Sequence, residues 1–156
     1  SQNISGALAE AEIQVYEQGE GASTNTLLEN FRDAPKAVLL GTRAFWEGVD
    51  IPGEALSVLV ITKLPFDVPS DPIIAARAET FDDAFNEYNL PEAILRFRQG
   101  FGRLIRTQSD RGVVVILDKR VLTKKYGRQF IDSLPTCTTK VASVVDLPRA
   151  AAKWLE

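Results

Sequence analysis

An α/β fold built on a parallel sheet is what this sequence predicts, and three observations predict it. Short, unbroken apolar runs at 37–40, 56–62 and 113–117 read as strands covered on both faces, where apolar and polar residues need not alternate. Segments of helical period lie between those runs, and strands that alternate with helices imply parallel pairing with helices on both faces of the sheet. The chain has 156 residues, 45% apolar and 25% charged, which fits a single domain able to bury a core.

The elements follow in order. Residues 4–11 are Ala-containing and helical in pattern, and Glu12 to Glu17 reads as a short strand through Ile13 and Val15. Gln18 to Gly21 is a turn. Thr24 or Thr26 is placed to cap a helix reaching about Arg32, with Leu27, Leu28 and Phe31 as its apolar stripe and Pro35 beyond its end. The 37–40 strand leads into a long loop from Gly41 to Gly53. The 56–62 strand leads into an irregular stretch, 64–72, that contains three prolines. Asp71 caps a following acidic helix with Pro72 in its first turn, and that helix is expected to run to about Tyr88. Pro91 begins a helix to about Arg106. After the 113–117 strand, a helix is expected over 123–133, a strand over 141–145 and a closing helix over 148–155.

The totals exclude several function classes. Lys+Arg 18 against Asp+Glu 21 gives a net charge of −3, so the whole chain is not a basic nucleic-acid binder. The charge is unevenly placed: 96–111 holds five Arg and one Asp, whereas 71–89 holds five acids and one Arg. The chain has no His, which removes the commonest general base and metal ligand, and its single Cys137 excludes an internal disulfide or a Cys-rich cluster site. Cys137 reads as an incidental thiol. No apolar run approaches the length of a membrane span, and no signal peptide is read in it. The expected location is cytoplasmic, with no membrane partner.

Three stretches carry possible chemistry. On a helical projection of residues 96–106, Ile94, Phe97, Phe101, Leu104 and Ile105 share one side, and Arg96, Gln99, Arg103 and Arg106 share the other. A row of planar, permanently charged forks suits phosphate oxygens. Gly100 and Gly102 each cost a helix interior roughly 1 kcal/mol against Ala, as expected where something approaches the backbone closely. The bland alternative, a solvated basic face, has no use for those glycines. The second stretch is the 41–53 loop. There Thr42 offers a hydroxyl and an N–H to a phosphate, Gly48 admits a ligand to the backbone, and Asp50 can accept from a ribose hydroxyl. Turn-forming duty for the same residues is the competing account. Phe45 and Trp46 can stack on a base or pack beneath the loop, and packing is preferred for at least one. The third is the apolar strand ending in Asp118. It imitates a magnesium-binding acid, but the Gly-rich phosphate loop such an acid serves is absent, so a strand-ending Asp is the better reading.

Residues 41–53, Gly-Thr-Arg-Ala-Phe-Trp-Glu-Gly-Val-Asp-Ile-Pro-Gly, resemble motif V of the DinG/XPD family of superfamily 2 DNA helicases. Residues 99–106, Gln-Gly-Phe-Gly-Arg-Leu-Ile-Arg, followed by Asp110-Arg111-Gly112, resemble that family's motif VI. Leu64-Pro65-Phe66 with Pro69-Ser70-Asp71-Pro72, and Asp118 with Arg120, match the DinG-like pattern as well. The resemblance runs from about Gln18 to Pro135.

It implies a RecA-like second motor domain of P-loop NTPase type, with ATP held between it and a first motor domain. Arg103, Arg106 and Gln99 take the catalytic positions at the γ-phosphate. Glu47, Gly48, Asp50 and Gly102 lie beside the nucleotide. Thr42, Arg43 and Trp46 meet single-stranded DNA or a DNA junction. ATP and Mg2+ would be shared with the N-terminal motor domain of the same parent chain, and any iron–sulfur cluster would sit elsewhere in that parent. No metal site is expected in these residues. A RecA-like second domain opens with a strand that is not read here, so the expectation is one domain, 1–156, from a larger helicase, inactive by itself and nucleoid-associated when on DNA. The alternative is a non-catalytic nucleic-acid-binding or assembly module that retains the fold.

Overall fold

The computed structural model describes residues 2–19, 23–42, 56–105 and 111–156, and the chain forms two compact units, Ser1–Ala55 and Leu56–Glu156. Each has its own parallel strand pair and its own buried side chains.

In the first unit, helix α1 (Gln2–Glu10) ends in a turn closed by Glu12 at φ 57°, with the N–H of Ile13 donating to Leu8 O at 2.9 Å. Glu12 therefore terminates the helix instead of opening the strand expected there. Strand β1 is Gln14–Glu17 and pairs in parallel with β2 (Ala37–Leu40), Gln14 opposite Ala37 and Glu17 opposite Leu40. Between them runs helix α2 (Thr24–Asp33), and its buried stripe is the expected Leu27, Leu28 and Phe31. Its cap is Ser23, one residue before the first expected candidate. The Ser23 hydroxyl accepts from the N–H of Thr26 at 3.2 Å, so Thr26 is the donor and not the cap.

In the second unit, β3 (Val58–Ile61) pairs in parallel with β4 (Val113–Ile116), Val58 opposite Val113. Helix α3 (Pro72–Ala78) starts as expected. The Asp71 carboxylate accepts from the N–H groups of Ile73 (2.9 Å) and Ile74 (3.4 Å), and Pro72 occupies the first turn. It does not reach Tyr88. Past Ala78 the chain tightens into i→i−3 turns, the N–H of Thr80 donating to Arg77 O at 3.1 Å and that of Phe81 to Ala78 O at 3.2 Å, with the Thr80 hydroxyl also on Arg77 O at 2.7 Å. Asp83 then accepts from both the N–H and the side-chain amide of Asn86, which holds its carboxyl below the usual carboxylate range. A π-helical turn over Phe85–Asn89 follows and runs directly into helix α4 (Leu90–Leu104).

Helix α4 is the spine of this unit. It buries Leu90, Ala93, Phe97, Gly100, Phe101 and Leu104, and Phe97 meets Phe130 edge-on at 5.4 Å. The helix expected over 123–133 begins only at Gly127, as α6 (Gly127–Asp132), and a separate short helix, α5 (Arg120–Thr123), precedes it. The reason is a close crossing: a Cβ on Gly127 would stand 2.3 Å from Val121 O. The 141–145 stretch is not a strand. Val141, Val144 and Val145 are exposed, and the Ser143 hydroxyl bonded to Asp146 at 2.7 Å turns the chain into α7 (Leu147–Leu155), which packs on β4. Among the described residues, no helix is long and apolar enough to cross a membrane.

Candidate functional site

The carboxyl ends of parallel strands are where open α/β sheets gather ligands, and each of the two strand pairs has such an exit. At the end of β1 and β2 the ladder continues one residue, Gln18 N–H donating to Leu40 O at 3.1 Å. Gly19, at φ 108°, then turns the chain away, a conformation glycine adopts without strain. Two residues past β2, Thr42 aims both of its donors at one atom. Its N–H reaches Gln18 Oε1 at 3.1 Å and its hydroxyl reaches the same oxygen at 2.7 Å. The two Thr42 groups singled out as phosphate donors thus converge on one acceptor, on an exposed residue. Gln18, treated from sequence only as part of a turn, is the partner that reasoning missed. Nothing in a linear pattern joins positions 18 and 42; the strand register does. Arg43, Trp46, Glu47, Gly48 and Asp50 lie outside the described residues.

In the second unit, Gln99, Gly102 and Arg103 all sit on α4. Gln99 is exposed; Gly102 and Arg103 are half-buried. Gln99 and Arg103 are one turn apart, opposite the core stripe. The two glycines differ. Gly100 is buried in the unit's own interior, where small size serves packing. A Cβ at Gly102 would meet nothing within 4 Å, so open space lies beside that backbone. Arg103 takes part in an interaction within the chain and stands near the helix carboxyl end, where a cation complements the backbone dipole.

The row of four is not a uniform face. Arg96 donates to Asp67 Oδ2 at 2.8 Å and to Glu92 Oε2 at 3.3 Å, and its side chain is only 13% exposed against 4% for Asp67. It ties α4 to the proline-rich stretch and is a structural cation, not a phosphate ligand in waiting. Asp67 is far away in sequence, so helical periodicity could not reveal the pair. The other end also departs from the projection. Ile105 is in extended backbone (φ −118°, ψ 108°), so the helical spacing that aligned Arg106 with Gln99 and Arg103 stops first. Arg106 itself lies outside the described residues.

At the end of β4, Asp118 is buried and fully engaged. One oxygen accepts from the Leu64 N–H at 2.9 Å; the other accepts from the Arg120 N–H at 3.0 Å. The Arg120 guanidinium bridges both oxygens, with Nη2 at 2.6 Å from Oδ2, and lies 5.2 Å above the Phe66 ring. The Arg120 side chain, followed by the two backbone N–H groups, holds the Asp118 carboxyl down at about 2 against the pull of burial. Asp118 is a clamp between the exits of β3 and β4, as the strand-ending reading expected. Among the described residues, no cluster of three or more Asp, Glu, Cys or His could hold a metal ion. A cavity of about 330 Å³ opens between Phe66, Ile74, Phe85 and Tyr126, and none of the sequence-predicted site residues lines it.

The chain matches a known family and known proteins. Residues 1–137 match the helicase C-terminal domain family. Over 139 residues, 86% of this chain and 15% of the relative, it is 45% identical to the Bacillus subtilis protein named 3'-5' exonuclease DinG. It is 46% identical over 127 residues to the ATP-dependent DNA helicase YoaA of Haemophilus influenzae, covering 79% of this chain and 20% of that protein. With the ATP-dependent helicase DinG of Mycobacterium tuberculosis it shares 41% identity over 141 residues, 84% of this chain and 21% of that protein. The chain therefore spans about a fifth or less of the length of these relatives. The matched stretch takes in both strand pairs, the Gln18–Thr42 contact, α4 and the Asp118 clamp, and on that footing the chain belongs to the helicase C-terminal domain family, as a DinG-like member.

Proposed function

We propose that this chain is the second motor domain of an ATP-dependent DNA helicase, completing an ATP site whose other wall is an N-terminal motor domain. The observation that carries the proposal is the division of α4. One side is the core of its unit, and the other presents Gln99, Gly102 and Arg103, with open space at Gly102.

Phosphoryl transfer spreads charge over the oxygens of the transferring group, and a positioned guanidinium stabilises that charge more than it stabilises the ground state. Arg103 and Arg106 take that role. Gln99 orients the attacking water. Glu47, Gly48, Asp50 and Gly102 border the nucleotide. Thr42, Arg43 and Trp46 hold single-stranded DNA or the strand at a junction, mainly through phosphates. ATP and Mg2+ are shared with the partner domain, and Asp118, with both oxygens engaged by Leu64 and Arg120, is left out of that set. The chain by itself is expected to be inactive as an ATPase. Two relatives bear the names of ATP-dependent helicases, which supports the reading.

The test uses a polypeptide that joins this chain to a motor domain carrying the phosphate-binding loop. Arg103→Ala should lower DNA-stimulated turnover on the order of 10³-fold or more, with the amide NMR spectrum of the domain unchanged. Arg103→Lys should recover little, because a point charge does not reproduce the planar fork. Near-normal turnover in Arg103→Ala would refute the assignment.

A further inference from the structure

We propose that Gln18 is an internal stand-in for a nucleic-acid phosphate: its carboxamide oxygen occupies both donors of Thr42 and must withdraw before Thr42 can hold a strand. The inference rests on the reading of Thr42 as a strand contact and adds a gate to it.

The geometry is that of a one-oxygen cradle. The Thr42 N–H and hydroxyl converge on Gln18 Oε1 at 3.1 and 2.7 Å, as they would on a single phosphate oxygen. Neither donor has a second proton to give, so the two acceptors are mutually exclusive. The position suits exchange. Gln18 is held by its backbone, through the N–H bond to Leu40 O, so its side chain can leave without unpairing β1 from β2. Thr42 is exposed and Gln18 half-buried, so the carboxamide, once released, finds water to bond. The exchange has a direction. A neutral amide oxygen is a weaker acceptor than an ionised phosphate oxygen, so the bound strand wins the site.

The experiment measures binding of a fluorescein-labelled oligothymidine of about 20 nucleotides to the 156-residue chain by anisotropy, with the Thr42 amide followed by NMR. Gln18→Leu removes the competing acceptor at similar bulk and should tighten binding about threefold to tenfold, the scale of losing one or two neutral hydrogen-bond competitors. It should leave the salt dependence unchanged, because no charge is altered. Gln18→Glu should weaken binding by a similar factor, since a carboxylate holds Thr42 harder and repels phosphate. Thr42→Val should weaken binding and erase the difference between Gln and Leu at position 18. A merely structural role for Gln18 predicts loss of affinity in Gln18→Leu; that result, with Thr42→Val still weakened, would overturn the gate and leave the strand contact standing. Unchanged binding in Thr42→Val, or no binding by any form, would overturn both.

Discussion

Replacing Asp118 with Asn isolates the clamp at the end of β4. The substituted side chain keeps an oxygen for the Leu64 N–H and keeps the volume, but it presents an amide to the Arg120 guanidinium where a carboxylate bridged it. It thus imitates the protonated acid. The size of the effect follows from the carboxyl's own titration. A fall from the ordinary 3.8 to about 2, on a side chain only 7% exposed, is worth about 2 kcal/mol at roughly 1.36 kcal/mol per pH unit. The folded value lies below the unfolded one, so this stability is fully present above pH 3.8 and is lost as pH falls through about 2. The wild type should therefore exceed Asp118→Asn by about 2 kcal/mol at pH 7 and by roughly half of that at pH 3. Urea titrations of both proteins, followed through the amide signals of β3 and β4, give the difference at each pH. A gap under about 0.5 kcal/mol at neutral pH, or one that does not narrow on acidification, would refute the claim that this ion pair fastens the two strand exits.

Two further substitutions probe the same unit. Gly127→Ala drives a methyl to within 2.3 Å of Val121 O and 2.5 Å of Arg120 O, backbone atoms that cannot swing aside; a loss of about 3 kcal/mol or more is expected, read as a lowered urea midpoint. Asp67→Asn replaces the shorter of the two Arg96 carboxylate contacts with a neutral amide, leaving Glu92, and should cost roughly 1–3 kcal/mol, whereas the double change Asp67→Leu with Arg96→Met should recover at least half of that. A double variant no better than the single one would mean that the charge pair is not what the loss reports.

The strands and helices with strong local signals were legible in the sequence. The apolar runs became β2, β3 and β4, and Asp71 with Pro72 marked the start of α3 because cap chemistry is local. What failed to show was set by contacts distant in sequence or by competition over a few backbone bonds. The acidic helix stopped at Ala78, where the backbone tightened into i→i−3 turns, and Asp83 then accepted from the Asn86 N–H ahead of the next turn. The helix expected over 123–133 started only at Gly127, where the missing side chain lets the backbone pass close to Arg120 O and Val121 O. The apolar run at 141–145 found no strand to pair with among the described residues, and apolar content alone does not make a strand. The candidate site divided in the same manner. Gln99, Gly102 and Arg103 share a helix, so spacing could place them on one face. Arg96 looked like their equal until Asp67 closed on it, and Gln18 looked like a turn residue until the β1–β2 register set it beside Thr42.

The two strand exits show why similar positions differ in what they can do. At β4 the acceptor is an ionised, buried carboxylate and the donor a guanidinium about 35% exposed. Charge-assisted bonds of that kind are each worth about twice a neutral one, and opening them strands a charge. Displacing Asp118 carries that cost, so this edge holds the fold. At β1 and β2 the acceptor is a neutral amide, the donors are a hydroxyl and an N–H, and the site meets solvent. Its opening costs little, because water receives the released amide. An ionised oxygen arriving there meets two donors already aimed. Strength of pairing thus separates the edge that stabilises from the edge that can bind, and the sign of the Gln18→Leu effect tests that separation. A gain in strand affinity places Gln18 as a displaceable occupant, whereas a loss would make the amide as structural as Asp118.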